Sequence, residues 1–462
     1  MRRTEAMGAG PPAGREANER LRAVMEEAGC SNTGLARRVN VCGAEHGVDL
    51  RYDKTSVARW LRGQQPRGRA PAIIAQALGN KLGRAVTADE IGMAASPGAA
   101  PTAGLRFEPT VPGALRQARA LWHGDATRVG ALTGDKLSTS VLVQPSRDWL
   151  IAGPDPAVPG HGPAAVGMAD VAAVRATTAA FVDLDHRFGS GRIRPVVVHY
   201  LDSVVSRLLG DSCGESTGRQ LFGVAARLTE LAGYMAVDTG RPGLAQRYYI
   251  QALRLAQAAD DRALGGYVLA SGMSRVALLL GSPREAVQLA RVARDGSRGR
   301  STPTAEVACH AAEARGHALL GDVRACEDAV GKAIEALEPG DPGRRPDWGA
   351  HVDRAYLAEE LARCARDLNR PASAARWSRE ALQGCLPGRS RRRALRLLLV
   401  ASVELESGEV DQSRATAAQA VKVLRDLYSA QCTGDLEAFC GRLAALGRPE
   451  DARELLAGAD RN

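Results

Sequence analysis

The second half of this chain repeats itself, and its turns carry the repeat. A Gly or Asn recurs at Gly240, Gly281, Gly321, Asn369, Gly408 and Gly447, spaced by 41, 40, 48, 39 and 39 residues. Five residues after each stands a small side chain: Ala245, Ala286, Cys326, Ala374, Ser413 and Ala452. Seven further on stands an alanine every time: Ala252, Ala293, Ala333, Ala381, Ala420 and Ala459. Positions seven apart lie on the same side of a helix, so keeping both small lets a neighbouring helix approach closely. Larger apolar residues precede the turns, as in Leu221, Val224, Leu228 and Leu231, then Leu264, Tyr267, Val276 and Leu280. The spacing predicts, six times over, a helix, a tight turn and a second helix with a flat small-residue face.

Composition points the same way. Of the 462 residues, 45% are hydrophobic but only 4% aromatic, and Ala and Leu supply most apolar positions, a helix-forming vocabulary. From about Arg219 to Asp460 the pattern resembles tetratricopeptide repeats. That resemblance implies helical hairpins stacked into a right-handed superhelix with a concave binding groove. The chain departs from the family in its period, roughly 40 rather than roughly 34 residues, and in lacking the aromatic residues typical of the first helix.

Four segments are expected. Residues 1–17, rich in Gly, Pro and Arg, read as a disordered leader. Residues 18–93 read as a compact domain of five short helices. Leu21, Val24, Met25 and Ala28 share a face of the first, which Gly29 ends; Ser31 caps a second carrying Leu35, Ala36 and Val39. The third runs from about Lys54 to Arg62 and stops at Gly63, and the fourth holds Ile73, Ile74, Ala77 and Leu78. Thr87 to Met93 starts a fifth, with Thr87 and Glu90 in capping-box spacing. Residues 94–170 read as linker and connector: a small-residue, Pro-containing stretch from Ala94 to Gly104, a helix around Gly113 to His123, a short strand at Ser138 to Val143 and a Pro/Gly loop from Gly153 to Gly167. Residues 171–462 form the repeat domain.

The third N-terminal helix has two faces. Val57, Trp60 and Leu61 make an inward stripe, while Lys54, Thr55, Ala58, Arg59 and Arg62 point elsewhere, and Asp53 is placed to cap it. Between Arg51 and Arg69 stand six basic residues (Arg51, Lys54, Arg59, Arg62, Arg67, Arg69) against one acid. Cationic and hydroxyl side chains on such a helix suit the major groove, and its N-terminus adds backbone donors for phosphate. On charge alone, a solvated face explains Arg59 and Arg62 equally well.

Leu35-Ala36-Arg37-Arg38, then Ser56-Val57-Ala58-Arg59-Trp60-Leu61-Arg62-Gly63 with Pro66 behind it, resembles helix-turn-helix domains of the Xre and Cro class. By that resemblance Lys54, Thr55, Ser56 and Arg59 face bases, while Arg62, Gln64 and Arg67 approach the backbone of double-stranded DNA. One departure stands out: Asn40 to Asp53 replaces a turn of three or four residues, so either the second helix is extended or the recognition helix is presented on a loop. The fold class expected is therefore all-α, an N-terminal helix-turn-helix domain followed by an α-solenoid of tetratricopeptide-like hairpins. The whole also resembles actinobacterial regulators of development and secondary metabolism, chiefly over Asp170 to Leu209 and Leu231 to Met273.

Other signals bound the function. A net charge of +9 makes an acidic partner plausible. The nine cysteines are scattered, never in C-x-x-C spacing, and read as free thiols in a reducing cytoplasm. Met1 to Arg15 lacks the apolar core of a signal peptide, and the apolar run Leu395 to Val403 is too short to span a bilayer, so no membrane partner is expected. Gly210-Asp211-Ser212-Cys213-Gly214 matches the G-x-S-x-G elbow of serine hydrolases, but the residues before it are helical in pattern where the motif needs a strand. His310 and His317 lie seven apart without metal-ligand spacing, and no P-loop or dinucleotide fingerprint occurs. No catalytic residue, cofactor or metal is assigned. Arg389, Arg391, Arg392, Arg393 and Arg396 form a second basic cluster, read first as a solvated helix face and alternatively as a nucleic-acid or partner-docking patch. The function expected is a DNA-binding transcriptional regulator whose helical-repeat domain dimerises and senses a peptide, small-molecule or protein ligand. The alternative is a protein-interaction scaffold using the groove.

Overall fold

The computed structural model describes residues 17–45, 50–64, 66, 70–84, 86–88, 90–93, 102–127, 140–156, 164–337 and 346–459. It is all-helical: 77% of it is helix, the helices pack in pairs, and no strand occurs among the described residues. Of the described helices, none is long and apolar enough to cross a membrane. The chain divides into two compact units, Met1–Gly98 and Ala99–Asn462.

The first unit holds α1 (Glu19–Glu27), α2 (Asn32–Glu45), α3 (Lys54–Leu61) and α4 (Ala70–Leu82). Asn18 organises it. Its Oδ1 accepts the Leu21 N–H at 3.0 Å to cap α1, its Nδ2 donates to the Ile91 carbonyl at 3.0 Å, and its backbone N–H donates to the Leu61 carbonyl at 2.9 Å. Leu21, Leu35, Val39, Val57, Ile74 and Leu78 meet in the core. The expected fifth helix is not formed by the described residues of Thr87 to Met93. Thr87 Oγ1 does accept the Glu90 N–H at 3.1 Å, but a single turn ends at Gly92, whose positive φ of 59° stops propagation. Ile91 and Met93 then plug the core directly. Of the two readings of Asn40 to Asp53, α2 is the extended element, running through Glu45.

The second unit begins earlier than a connector would allow. α5 (Val111–Thr127) and α6 (Ser140–Ile151) bury Leu121, Trp122, Leu142 and Trp149 in its main core. The strand expected at Ser138 to Val143 is instead the start of α6, its described residues helical from Ser140. Trp149 explains the docking: a Cβ at Gly265 or Gly296 would overlap its indole, so these two glycines open the slot that receives it. Gln251 donates to the Gly104 carbonyl at 2.9 Å, and Arg254 pairs with Asp155 at 2.7 Å, strapping the flanking loops down.

Next come α7 (Met168–Phe188), then α8 (Ser190–Tyr200), which passes through a π-helical turn at Leu201–Val205 into α9 (Ser206–Leu208). Six hairpins follow: α10 (Glu215–Asp238) with α11 (Pro242–Ala258); α12 (Arg262–Tyr267), a π-helical turn at Val268–Met273 and α13 (Ser274–Leu279) with α14 (Pro283–Ser297); α15 (Pro303–Leu319) with α16 (Val323–Leu337); α17 (Arg354–Asp367) with α18 (Pro371–Gln383); α19 (Ser390–Glu406) with α20 (Val410–Leu424); and α21 (Ala430–Ala445) with α22 (Pro449–Ala459).

All six marked turn residues adopt positive φ, from 53° at Asn369 to 85° at Gly447. Each closes a Schellman motif, in which the next residue's N–H donates back to the carbonyl five before it, as Arg241 to Ala236 at 2.8 Å and Arg448 to Leu443 at 3.2 Å. Proline opens the second helix at Pro242, Pro283, Pro371 and Pro449, where its missing N–H costs nothing. The small residues five and twelve beyond each turn are buried in every hairpin, except Ala459, which is half-buried.

Candidate functional site

The presentation of α3 is built from three side chains. Asp53 caps the helix, its Oδ1 accepting both the Ser56 N–H and the Ser56 hydroxyl at 2.8 Å. The Ser56 hydroxyl and backbone hydrogen bonds hold the Asp53 carboxyl below its usual range. Val57 and Trp60 are buried and pin the helix to the core, while Leu61 is half-buried. Tyr52 stacks edge-on against Trp60, with ring centroids 4.9 Å apart.

Asn40 completes the arrangement. Its Nδ2 donates to the Tyr52 carbonyl and its Oδ1 accepts the Tyr52 N–H, both at 2.9 Å. This amide imitates a strand partner for one residue and fixes where the chain re-enters after α2. Sequence reasoning misses Asn40 and Tyr52, because a lone Asn inside a helix carries no periodic signal.

Lys54, Thr55, Arg59, Arg62 and Gln64 are exposed, and Ser56 is half-buried. Arg67 lies outside the described residues. Arg62 Nε donates to the Ala58 carbonyl at 3.3 Å, keeping that guanidinium along the helix end. Two details correct the expected contacts. The Ser56 hydroxyl already donates to Asp53, so it faces a partner as an acceptor. The Ser56 N–H is likewise occupied, so the helix N-terminus offers less to an anion than an uncapped one would, and the exposed side chains must make the approach.

In the second unit the basic cluster on α19 faces inward. Arg391 and Arg396 are buried: Arg391 pairs with Asp185 and lies 3.5 Å from Asp238, and Arg396 Nε meets Glu359 at 3.0 Å. The solvated-face reading therefore fails for this cluster, and of its five arginines only Arg393 is exposed. The reason lies far away in sequence, where α7, α10 and α17 supply the carboxylates.

Those helices enclose a cavity of about 390 Å³. The first helix of every hairpin contributes a charged side chain to its wall: Arg227, Arg275, Arg315, Arg363, Arg392 and Asp435 in order, with His186 added by α7. Burial and then the neighbouring arginines hold the imidazoles of His186 and His351 neutral, that of His186 down to about 2. Burial works to raise the Glu359 carboxyl, but Arg363, Arg392 and Arg396 together bring it down to about 2.

Ser212 sits in an isolated parallel bridge, its N–H donating to Ala164 and its carbonyl accepting from Val166. It follows a helix rather than a strand, so the strained elbow of the hydrolase motif is not formed. All nine cysteines are free thiols, and no group of metal-ligating side chains occurs among the described residues.

Residues 21–94 match the family model of the SP15 N-terminal domain. The match runs from Leu21, within α1, through α4 and the turn that follows it. No curated protein matches the chain.

Proposed function

We propose that the protein is a sequence-specific transcriptional regulator that binds double-stranded DNA through α3, with the repeat unit serving for self-association and ligand sensing. One observation carries this reading: Lys54, Thr55 and Arg59, with Arg62 and Gln64 just past the helix end, stand in solvent on an element locked in place by Asp53, Val57 and Trp60. Rigid presentation of cations and hydroxyls is what groove reading requires, since the entropy lost in ordering them at the moment of binding would offset the hydrogen bonds they make to base edges. Two copies joined through their repeat units would address half-sites roughly 34 Å apart. The resemblance to actinobacterial regulators directs the search for targets to genes of development and secondary metabolism.

The test is a gel-shift selection of genomic fragments with the full chain across a salt series. Specific, salt-sensitive binding that Arg59→Ala weakens while the fold survives supports the reading. A chain with no salt-sensitive affinity for any DNA, but recovered in a stable protein complex, establishes the scaffold reading instead.

A further inference from the structure

Seven arginines and six carboxylates, Asp185, Glu230, Asp347, Glu359, Glu360 and Asp435, line the cavity in the second unit, and the arginines are not evenly paired. Arg227 has Glu230, Arg315 has Glu360 at 3.5 Å and Arg391 has Asp185. Glu359 is shared: Arg363 reaches it at 3.3 Å, Arg396 at 3.0 Å and Arg392 only at 3.7 Å. Arg275 donates to the Gln431 amide at 2.7 Å and lies over the Tyr234 ring, without a carboxylate of its own among the described residues. Arg389 makes no ion pair or hydrogen bond through its side chain among the described residues. Asp353 and Asp183 act on Arg389 only through space, and a guanidinium keeps its proton at any accessible pH, so the Arg389 N–H donors are met only by water or by an anion.

The unpaired donors are localised. Beyond burial, the groups that hold both His186 and His351 neutral include Arg227, Arg389 and Arg392. Arg389 and Arg392 thus share one end of the cavity with His186 and His351. The wall beside that end is aromatic: Tyr267 and Tyr356 flank His351, with ring centroids 6.0 and 5.8 Å away, and the Tyr267 hydroxyl lies 3.2 Å from His351 Nε2. Leu278 and Leu319 extend the apolar lining. A volume of about 390 Å³ falls within the range of small-molecule pockets.

We propose that this end of the cavity binds the acidic head of a small organic anion, held by Arg389 and Arg392, with its apolar body lying along Tyr267 and Tyr356. A carboxylate or phosphoryl oxygen would take the guanidinium N–H donors that have no protein acceptor, and the neutral imidazoles would add hydrogen bonds without adding charge. The site is independent of any DNA reading, and its test contains no DNA.

The probe is 1-anilinonaphthalene-8-sulfonate, titrated by fluorescence against the full chain, with uncharged N-phenyl-1-naphthylamine in parallel. One saturable sulfonate site is expected. Arg389→Gln should weaken it about tenfold and Arg389→Gln/Arg392→Gln further, while the uncharged dye is unaffected. Arg389 carries no ion pair among the described residues, so its replacement leaves unfolding unchanged, as urea denaturation checks. Octanoate, benzoate and inorganic phosphate are then compared with chloride at equal ionic strength for their effect on thermal unfolding. A rise with the carboxylates alone identifies a carboxylate head, a rise with phosphate alone a phosphoryl head, and either must vanish in Arg389→Gln. The proposal is overturned if dye binding is indifferent to both arginines, or if neither the sulfonate saturates nor any anion exceeds chloride.

Discussion

Two stretches of this chain look alike as text and behave oppositely as structure. Arg51 to Arg69 carries six basic residues and Arg389 to Arg396 carries five. In the first, Lys54, Arg59 and Arg62 stand in solvent. In the second, Arg391 and Arg396 lie among the least exposed side chains of the molecule, 3% and 2%. The difference is where the counter-charge comes from. The first unit has one acid within its basic run, Asp53, and uses it as a helix cap. The repeat unit brings Asp185 from 206 residues away onto Arg391. A run of cations therefore says little about exposure until the partners folded against it are known.

The largest test of that contrast is Arg391→Ala. Removing one partner of a buried pair strands the other, and losses of about 3–5 kcal/mol are typical. Here Asp185 and Asp238 would both be stranded, the latter already held by the Ser429 hydroxyl at 2.6 Å. Urea unfolding should show a loss of that size, whereas exposed Arg393→Ala stays within about 0.5 kcal/mol. Equal effects of the two would abolish the distinction.

Arg59→Ala is the converse. Melting should not move, because the side chain packs on nothing that needs it, while affinity for a selected DNA site falls by roughly 10- to 100-fold, the worth of a side chain reading a base edge. A substitution that lowers stability and leaves DNA affinity intact would assign Arg59 to the fold.

Acid separates the units next. His186 and His351 are held neutral in the fold, so the unfolded chain takes protons near pH 6.5 that the folded chain refuses. Stability is full above that pH and falls as pH drops, by up to about 1.4 kcal/mol per pH unit for each imidazole, until the pH nears the value of about 2 at His186. His186→Gln should flatten part of this slope between pH 6.5 and 5 in urea unfolding. In the first unit the shifted carboxyls, Glu27 and Asp53, are lowered from values already near 4, so their contribution is lost only in stronger acid.

What is legible follows the same division. The six turns can be read because a left-handed Schellman turn admits Gly or Asn and little else, so local chemistry writes itself into the letters. The inward stripe of α3 can be read for Val57 and Trp60 because helical periodicity is local too. The cavity cannot. Arg227, Arg275, Arg315, Arg363 and Arg392 sit on five different helices, and nothing in their spacing says that these helices share an interior. The start of α6 reads as a strand because Val141 and Val143 are β-branched and the run is short. Its helical state is stabilised by Trp149 entering the slot opened by Gly265 and Gly296, more than a hundred residues on.

Asn40 lies between the legible and the illegible, and its replacement is the finest test. A tight turn would set the entry to α3 by backbone geometry alone; in this chain one side-chain amide on α2 ties down Tyr52 just before α3. Each of its two hydrogen bonds contributes about 0.5–1.5 kcal/mol net, and water can replace part of that at a half-buried site, so Asn40→Ala should cost about 1 kcal/mol in urea unfolding. Asn40→Asp keeps the acceptor for the Tyr52 N–H and loses the donor, and should fall between. If α3 acts by being held rigid, Asn40→Ala also weakens DNA binding, although Asn40 precedes the helix by fourteen residues and Lys54, Arg59 and Arg62 are all still present. Unchanged binding would mean that Asp53, Val57 and Trp60 suffice to present the helix, and that the Asn40 amide serves no purpose in recognition.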